Sequence, residues 1–203
     1  MKNLLLFGCL FLLGIFLFAC QADNKTGPTA TDQAAVKPAA PAGMSKADSI
    51  KRGEYLVNTI GCSDCHSPKM MTDHGPIPDP ALLLSGHPAN EVLPKMPDKK
   101  FMAPGQWILL SKSFTSFTGP WGTSFAANLT PHESGLGNWT FENFDRAIRT
   151  GKHLGAENGR PILPPMPWPN FAQLSKDDLA NIWQYLRSLK PIDNKVPNPL
   201  PPA

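Results

Sequence analysis

One pentapeptide, Cys62-Ser63-Asp64-Cys65-His66, constrains this chain more than any other stretch. Two cysteines separated by two residues and followed at once by histidine form the attachment pattern of c-type haem. This spacing lets one turn of backbone offer a thiol to each of two vinyl groups on neighbouring pyrroles. The histidine imidazole can then take one axial position on the iron. The sequence therefore predicts one covalently bound haem c, attached through Cys62 and Cys65 and ligated by His66.

A Cys-x-x-Cys pair has two other common uses. A redox-active pair usually begins a helix in a βαβ context, and no such context is visible around Cys62. A structural zinc site needs a second Cys or His pair at ligand spacing, and no cysteine follows Cys65. The remaining cysteines, Cys9 and Cys20, lie within and at the end of an apolar N-terminal run. No pair is left for a structural disulfide, and haem attachment is favoured.

The N-terminal segment, residues 1–20, is typical of an export signal. Lys2 precedes an apolar run over residues 4–18 that is short for a bilayer-spanning helix. The run ends in Leu17-Phe18-Ala19-Cys20, which resembles the bacterial lipobox, where the cysteine carries the lipid. We expect a lipoprotein-type signal peptide and a chain anchored through Cys20 to a bacterial membrane, on the periplasmic side of the cell envelope. An ordinary signal peptide and an uncleaved anchor are the alternatives.

Composition divides the rest of the chain into a tether, one domain and a tail. Residues 21–44 are rich in Ala, Pro and Thr and have no apolar periodicity, which predicts a flexible tether. We expect a monohaem domain over residues 45–197 and a proline-rich tail over residues 198–203. The formal net charge of +3 is spread along the chain without a basic run, so no nucleic-acid partner is expected.

Three capped segments predict helices in this domain. Ser45, Thr140 and Ser175 each precede a stretch with apolar residues at helical spacing, and these stretches run through about Ile60, Thr150 and Ser188. Between the first two, residues 69–130 are rich in Pro, Gly and Met, which predicts loops wrapped around a cofactor. We expect the aromatic residues of this region to supply apolar cover: Phe101, Trp107, Phe114, Phe117, Trp121 and Phe125. The predicted fold is all-α, with helices packed around a covalent haem and long irregular loops.

A methionine bracketed by prolines is the favoured second axial ligand. Met166 lies within Pro161–Pro169, where the prolines leave the backbone few conformations. A thioether is a weak ligand, so its position must be set by the chain. A gap-filling core methionine is the alternative use of Met166. The competing ligands are Met70, Met71, Met96, Met102, His74, His87 and His132.

The order of helix, Cys-x-x-Cys-His, irregular loops, methionine loop and terminal helix resembles a class I cytochrome c. A closer likeness is to the single haem domains in cytochrome subunits of membrane-bound alcohol, gluconate and aldehyde dehydrogenases. It lies in four stretches, the last of which is followed by the segment Asp178 to Leu189: Arg52-Gly53-Glu54-Tyr55-Leu56, Asn128-Leu129-Thr130-Pro131, Gly135-Leu136-Gly137-Asn138-Trp139-Thr140 and Pro165-Met166-Pro167-Trp168. The resemblance implies that His66 and Met166 ligate the iron. Those subunits carry several haem domains, whereas this chain has one attachment motif.

These features together predict a one-electron carrier rather than an enzyme. The expected partners are redox proteins, namely a dehydrogenase, an oxidase or another cytochrome, together with the membrane that holds the lipid anchor. With both axial positions filled, no substrate needs to bind low-spin iron. The alternatives are a peroxidase-like haem enzyme with an open axial site, and a non-catalytic haem subunit or sensor.

Overall fold

The computed structural model describes residues 43–95 and 98–202. The predictions for Cys9, Cys20, Met96, the export signal and nearly all of the tether therefore lie outside the described residues. The helices in the described part are α1 (Lys46–Thr59), α2 (Cys62–His66), α3 (Phe141–Thr150), α4 (Trp168–Phe171) and α5 (Lys176–Ser188). Short 3₁₀ helices cover Pro80–Leu82, Lys99–Met102 and His153–Gly155. Within the described ranges, no helix combines the length and the apolar character that crossing a bilayer requires.

The three long helices begin at the predicted caps. The Ser45 hydroxyl accepts a hydrogen bond from the Asp48 amide at 3.1 Å, and the Ser175 hydroxyl accepts from the Asp178 amide at 3.0 Å. Thr140 and Asn143 form a reciprocal capping box at the start of α3. Each cap satisfies amide groups that have no partner inside the helix, which fixes where the helix starts. The three helix predictions are confirmed.

The first and last long helices pack against each other and form the centre of the domain. Gly53 of α1 lies directly on the backbone of α5, because a Cβ added there would lie 2.6 Å from the Asn181 carbonyl carbon. The Ser49 hydroxyl donates to Asn181 Oδ1 at 2.5 Å, and Arg52 pairs with Asp178 at 3.0 Å. The core around this contact contains these buried side chains: Leu56, Val57, Leu84, Leu136, Phe141, Phe144, Leu179, Ile182, Trp183, Tyr185 and Leu186.

The stretch between α2 and α3 contains two small antiparallel sheets where sequence reasoning expected loops. Strands β1 (Lys69–Thr72) and β2 (Gly75–Pro78) form a hairpin, and β3 (Leu109–Leu110), β4 (Ser116–Gly119) and β5 (Gly122–Phe125) form a three-stranded sheet. These strands have two to four residues, which is too short to produce a recognisable alternation of apolar and polar residues. Because helices and strands coexist in the described residues, the all-α description stays a prediction.

The chain beyond α5 runs as an extended strap over the domain. Asn194 fixes it, because its side-chain amide donates to the carbonyls of Ser85 and His87 at 2.7 and 2.8 Å and accepts from the Ala89 amide at 2.9 Å. Further along, Leu200 exchanges two backbone hydrogen bonds with Thr123 of β5, each 2.9 Å long. The strap therefore connects the C-terminal residues to the loop after α2 and to the second sheet.

Candidate haem-binding site

The pentapeptide forms its own short helix, α2, separated from α1 by a single sharp turn. Gly61 makes this turn in the left-handed conformation with φ of +78°, which side chains other than glycine rarely adopt. Because Cys62 and Cys65 are three residues apart on a helix, their side chains lie on the same face. Both are partly buried free thiols. One helical face therefore presents two thiols at the spacing that two vinyl groups require.

Lys69 holds the helix α2 in place. Its ammonium group donates to the carbonyls of Ser63, Asp64 and Ser67 at 2.8, 2.9 and 2.8 Å. Carbonyls at the end of a helix have no partner inside it, and a cation there also interacts favourably with the helix dipole. Burial lowers the pKa of Lys69 from its ordinary value, and the nearby Asp64 carboxylate opposes this shift. Sequence reasoning missed this residue, which fixes the orientation of the pentapeptide.

His66 has one ring nitrogen occupied by the backbone and the other left for a ligand. Its Nδ1 lies 2.8 Å from the carbonyl oxygen of Ala127. Since a carbonyl can only accept, Nδ1 carries the proton and Nε2 presents a lone pair. A backbone acceptor on the second nitrogen is the usual way in which a metal-binding histidine is oriented. Burial lowers the pKa of His66, so the neutral imidazole, the form that ligates iron, is favoured.

The Ala127 carbonyl is itself held by the loop that follows the first hairpin. The amide of Gly86 donates to the His66 carbonyl at 2.8 Å, and the amide of His87 donates to the Ala126 carbonyl at 2.9 Å. Gly86 packs so closely that an added Cβ would lie 2.6 Å from the Ala126 oxygen. Gly86 and His87 thus connect the backbone of His66 with the backbone next to Ala127, whose carbonyl orients the His66 imidazole.

The electrostatics of the thiols differ from those of a redox-active or metal-binding pair. Burial raises the pKa of Cys62 to about 12, and burial together with the Asp64 charge raises the pKa of Cys65. Reactive and metal-ligating cysteines need the thiolate, and redox-active pairs have lowered pKa values. In the described ranges, no group of three or more His, Cys, Asp and Glu side chains is arranged to hold a metal ion. Two neutral thiols beside an oriented histidine fit covalent attachment of a haem.

The methionine loop is anchored before and after Met166. On the preceding side, the Ser124 hydroxyl donates to the Pro164 carbonyl at 2.5 Å. On the following side, the indole of Trp168 lies against Gly151, where an added Cβ would come within 2.7 Å of the ring atom Cζ2. Gly151 is the residue that ends α3, with φ of +63°. The position of Met166 is therefore set by two separate elements of the domain.

The competing ligands lie in different surroundings. Met71 is 72% exposed and Met70 is 43% exposed on the first hairpin, whereas Met102 is buried. His87 is buried with its Nδ1 2.8 Å from the Thr115 hydroxyl, and the Nδ1 of His132 lies 2.8 Å from the Ser134 hydroxyl. His74 lies in the turn of the hairpin formed by β1 and β2.

A cavity bordered by Cys62, Cys65, His66 and Met166 is a further expectation for this site. Two cavities are described, of about 520 and 410 Å³, and both lie along the C-terminal strap. The larger is lined by Leu82, Ser85 and residues 88–90 together with residues 192–195, and the smaller includes Trp121, Arg160 and Leu200. Neither is lined by the four site residues, so their shared cavity stays a prediction.

Comparison with known proteins connects this site to a group of relatives. The chain is 31% identical over 153 residues to the cytochrome c subunit of a quinone-dependent alcohol dehydrogenase from Gluconobacter oxydans. It is 27% identical over 158 residues to the gluconate 2-dehydrogenase cytochrome c subunit of Pantoea cypripedii, and 26% identical over 151 residues to the fructose dehydrogenase cytochrome subunit of Gluconobacter japonicus. These matches support a cytochrome c domain.

The cytochrome c domain matches only part of each relative. The three alignments cover 73%, 74% and 73% of this chain, but 24%, 27% and 23% of the respective relatives. The chain thus spans about a quarter of the length of these relatives. No protein-family model matches the chain. The predicted resemblance to dehydrogenase cytochrome subunits is confirmed, and these relatives support haem-based electron transfer.

Proposed function

We propose that this chain is a one-electron carrier with a single haem c, attached through Cys62 and Cys65 and ligated by His66 and Met166. The observation that carries the proposal is the pentapeptide itself, with two thiols on one helical face and the His66 ring oriented by Ala127. The similarity to cytochrome c subunits supports the same conclusion. A bound haem supplies a one-electron redox centre.

Different residues of the chain have different roles in holding a haem. The thiols provide the covalent attachment, and Lys69 keeps their helix in one orientation. The Ala127 carbonyl keeps the proton of His66 on Nδ1, which leaves Nε2 for the iron. Met166 stands on a loop that Ser124 and Gly151 fix in place, so a weak thioether ligand need not order its own backbone. Ligation by histidine and methionine favours a higher reduction potential than ligation by two histidines.

The proposed partners are supported by the relatives, and the proposed location is supported by the N-terminal sequence. Because the three relatives are subunits of dehydrogenases, we propose that this carrier receives electrons from a dehydrogenase. We also propose that it is exported and anchored to the membrane by a lipid on Cys20. Purification of the native protein from membranes tests both, because a partner should be recovered with it and the mature chain should begin at an acylated Cys20. An unmodified Cys20, or recovery without a dehydrogenase, would contradict the respective proposal.

The ligation is tested by replacing Met166 and a matched exposed methionine. Met166→Ala should abolish the methionine–iron charge-transfer band of the oxidised protein and lower its reduction potential, because the thioether is lost. Met71→Ala removes an exposed thioether and should leave both properties unchanged. Rapid binding of carbon monoxide by the Met166→Ala variant, but not by the unaltered protein, would support the proposal that Met166 occupies an iron position in the unaltered protein. An unchanged band in Met166→Ala would reject Met166 as the ligand.

A further inference from the structure

A cluster of apolar side chains is exposed in the segment between the two sheets. Phe101 is 40% exposed, Trp107 67%, Ile108 55% and Leu110 47%. Phe101 and Trp107 were expected to supply apolar cover, but within the described part of the chain both lie at the surface. Three exposed lysines accompany them: Lys99, Lys100 and Lys112. We call these seven residues the 99–112 surface.

The backbone of the 99–112 surface is folded, so the exposure does not come from a frayed end. The amide of Trp107 donates to the Phe101 carbonyl at 2.8 Å, which closes a loop and brings the backbones of these two aromatic residues together. Met102 lies in this loop and is buried, with 8% exposure, so it anchors the loop to the domain.

Strand β3 continues this surface at the edge of the second sheet. Ile108 precedes the strand by one residue and lies two residues from Leu110, so both point to the same side. Leu110 is opposite the partly exposed Phe117 on β4. Exposed apolar side chains therefore lie both on the loop that Trp107 closes and along the edge strand that follows it.

The charges around these side chains are mostly positive. Asp98 is the one acidic residue between positions 98 and 112, and its carboxylate lies 3.2 Å from the Lys100 ammonium. Both partners are exposed, so this pair is weak and leaves the positive charge of the surface available. Lys99 and Lys112 flank the aromatic residues from the two ends of the segment. An occupant of this surface should be apolar where the rings lie and negatively charged around them.

We propose that the 99–112 surface binds the anionic face of a phospholipid membrane. Exposed Trp, Phe and Leu side chains with lysines near them in the chain are the residue types that proteins place in the headgroup region. Indole rings favour this region because they are apolar with one polar group. The alternative, a protein partner, fits less well, because lysine is depleted in protein–protein interfaces. This inference goes beyond the electron-transfer proposal and does not depend on a lipid at Cys20.

Hydrogen–deuterium exchange of the full haem-loaded chain on vesicles tests this proposal. Vesicles of phosphatidylcholine alone are compared with vesicles that also contain phosphatidylglycerol. We expect exchange over residues 99–110 to slow at least about fivefold on the anionic vesicles and much less on the neutral ones. The loop over residues 156–158 is also exposed and should exchange at the same rate on both. Equal rates over 99–110 on both kinds of vesicle would overturn the proposal, as would equal slowing of the two loops.

Matched variants separate this surface from general charge effects. Each lysine near an anionic membrane strengthens binding about fivefold. The double variant Lys99→Gln, Lys100→Gln should therefore lower the ratio of vesicle-bound to free protein about 25-fold. Trp107→Ala should also reduce protection over 99–110. Lys51→Gln with Lys176→Gln makes the same charge change on α1 and α5 and should preserve the protection. Comparable loss in this control pair would overturn the proposal, as would protection that appears only when a partner protein is added. Unchanged visible spectra check that every variant is folded.

Discussion

Gly53→Ala tests the contact around which the domain is packed. The new methyl carbon would lie 2.6 Å from the Asn181 carbonyl carbon, 2.8 Å from the Cβ of Tyr185, and closer still to the Asn181 oxygen. Ordinary contacts between carbon atoms are about 3.5 Å or longer, so α1 and α5 must separate by about 1 Å. The obstacle is backbone, which cannot rotate away as the end of a flexible side chain could.

Two opposing free energies decide the magnitude of this effect. Alanine is favoured over glycine inside a helix by about 1 kcal/mol. Overpacking of a core costs about 1–3 kcal/mol, and a collision between two backbones belongs at the upper end of that range. The expected net loss of unfolding free energy is therefore about 2 kcal/mol. For a domain of this size, that corresponds to a fall in melting temperature of about 4–8 °C.

Urea unfolding of the haem-loaded protein, followed by circular dichroism, measures this loss. Ala47→Gly at an exposed position of α1 is the control, because it changes only the helix propensity and should cost about 1 kcal/mol. A Gly53→Ala variant as stable as the unaltered protein, or more stable, would refute the reasoning. It would mean that the two helices can move apart without losing their packing.

Three further predictions concern residues that hold the site in place. Lys69→Met should lower the unfolding free energy by about 2 kcal/mol, because it leaves three carbonyls of the pentapeptide region without their charged donor. A loss below about 0.5 kcal/mol in urea unfolding would contradict this prediction. Asn194→Ala should lower the unfolding free energy by about 1–3 kcal/mol and should speed hydrogen exchange of the Ala89 amide. An unchanged exchange rate would show that Asn194 does not hold the C-terminal strap on the domain. Burial lowers the pKa of His87 in the folded protein, despite the opposing charge of Glu91. Below about pH 6.5 the unfolded chain therefore binds more protons than the folded one, and the unfolding free energy should fall as the pH drops. His87→Gln should flatten this acid slope in melting curves recorded between about pH 5 and pH 8, and an equal slope in both proteins would rule out His87 as its source.

The features predicted correctly from the sequence are those encoded within a few consecutive residues. Ser45, Thr140 and Ser175 each bond an amide three residues further along, so a local pattern is enough to identify the helix starts. The pentapeptide is also local, and its identification needs no knowledge of the rest of the fold.

The features that sequence reasoning missed depend on backbone groups far along the chain. Ala127 acts through its carbonyl, which every residue possesses, so nothing in its side chain marks it as the partner of His66. Lys69 looked like an ordinary loop lysine, because its three acceptors are also backbone carbonyls. Trp107 was assigned to the core from its residue type alone, and only the path of the chain reveals its exposure. Such roles become visible only when the chain is folded.

The pairing of α1 with α5 has a consequence for the order of events during synthesis. The chain emerges N-terminal end first, so α1 and the pentapeptide appear long before residues 176–188 can cover Gly53. Contacts that join distant parts of a chain form late. The domain therefore cannot close around Cys62 and Cys65 until almost all of it has been made. Until then both thiols stay open to reaction, which is what covalent attachment of a haem under the proposed function would require.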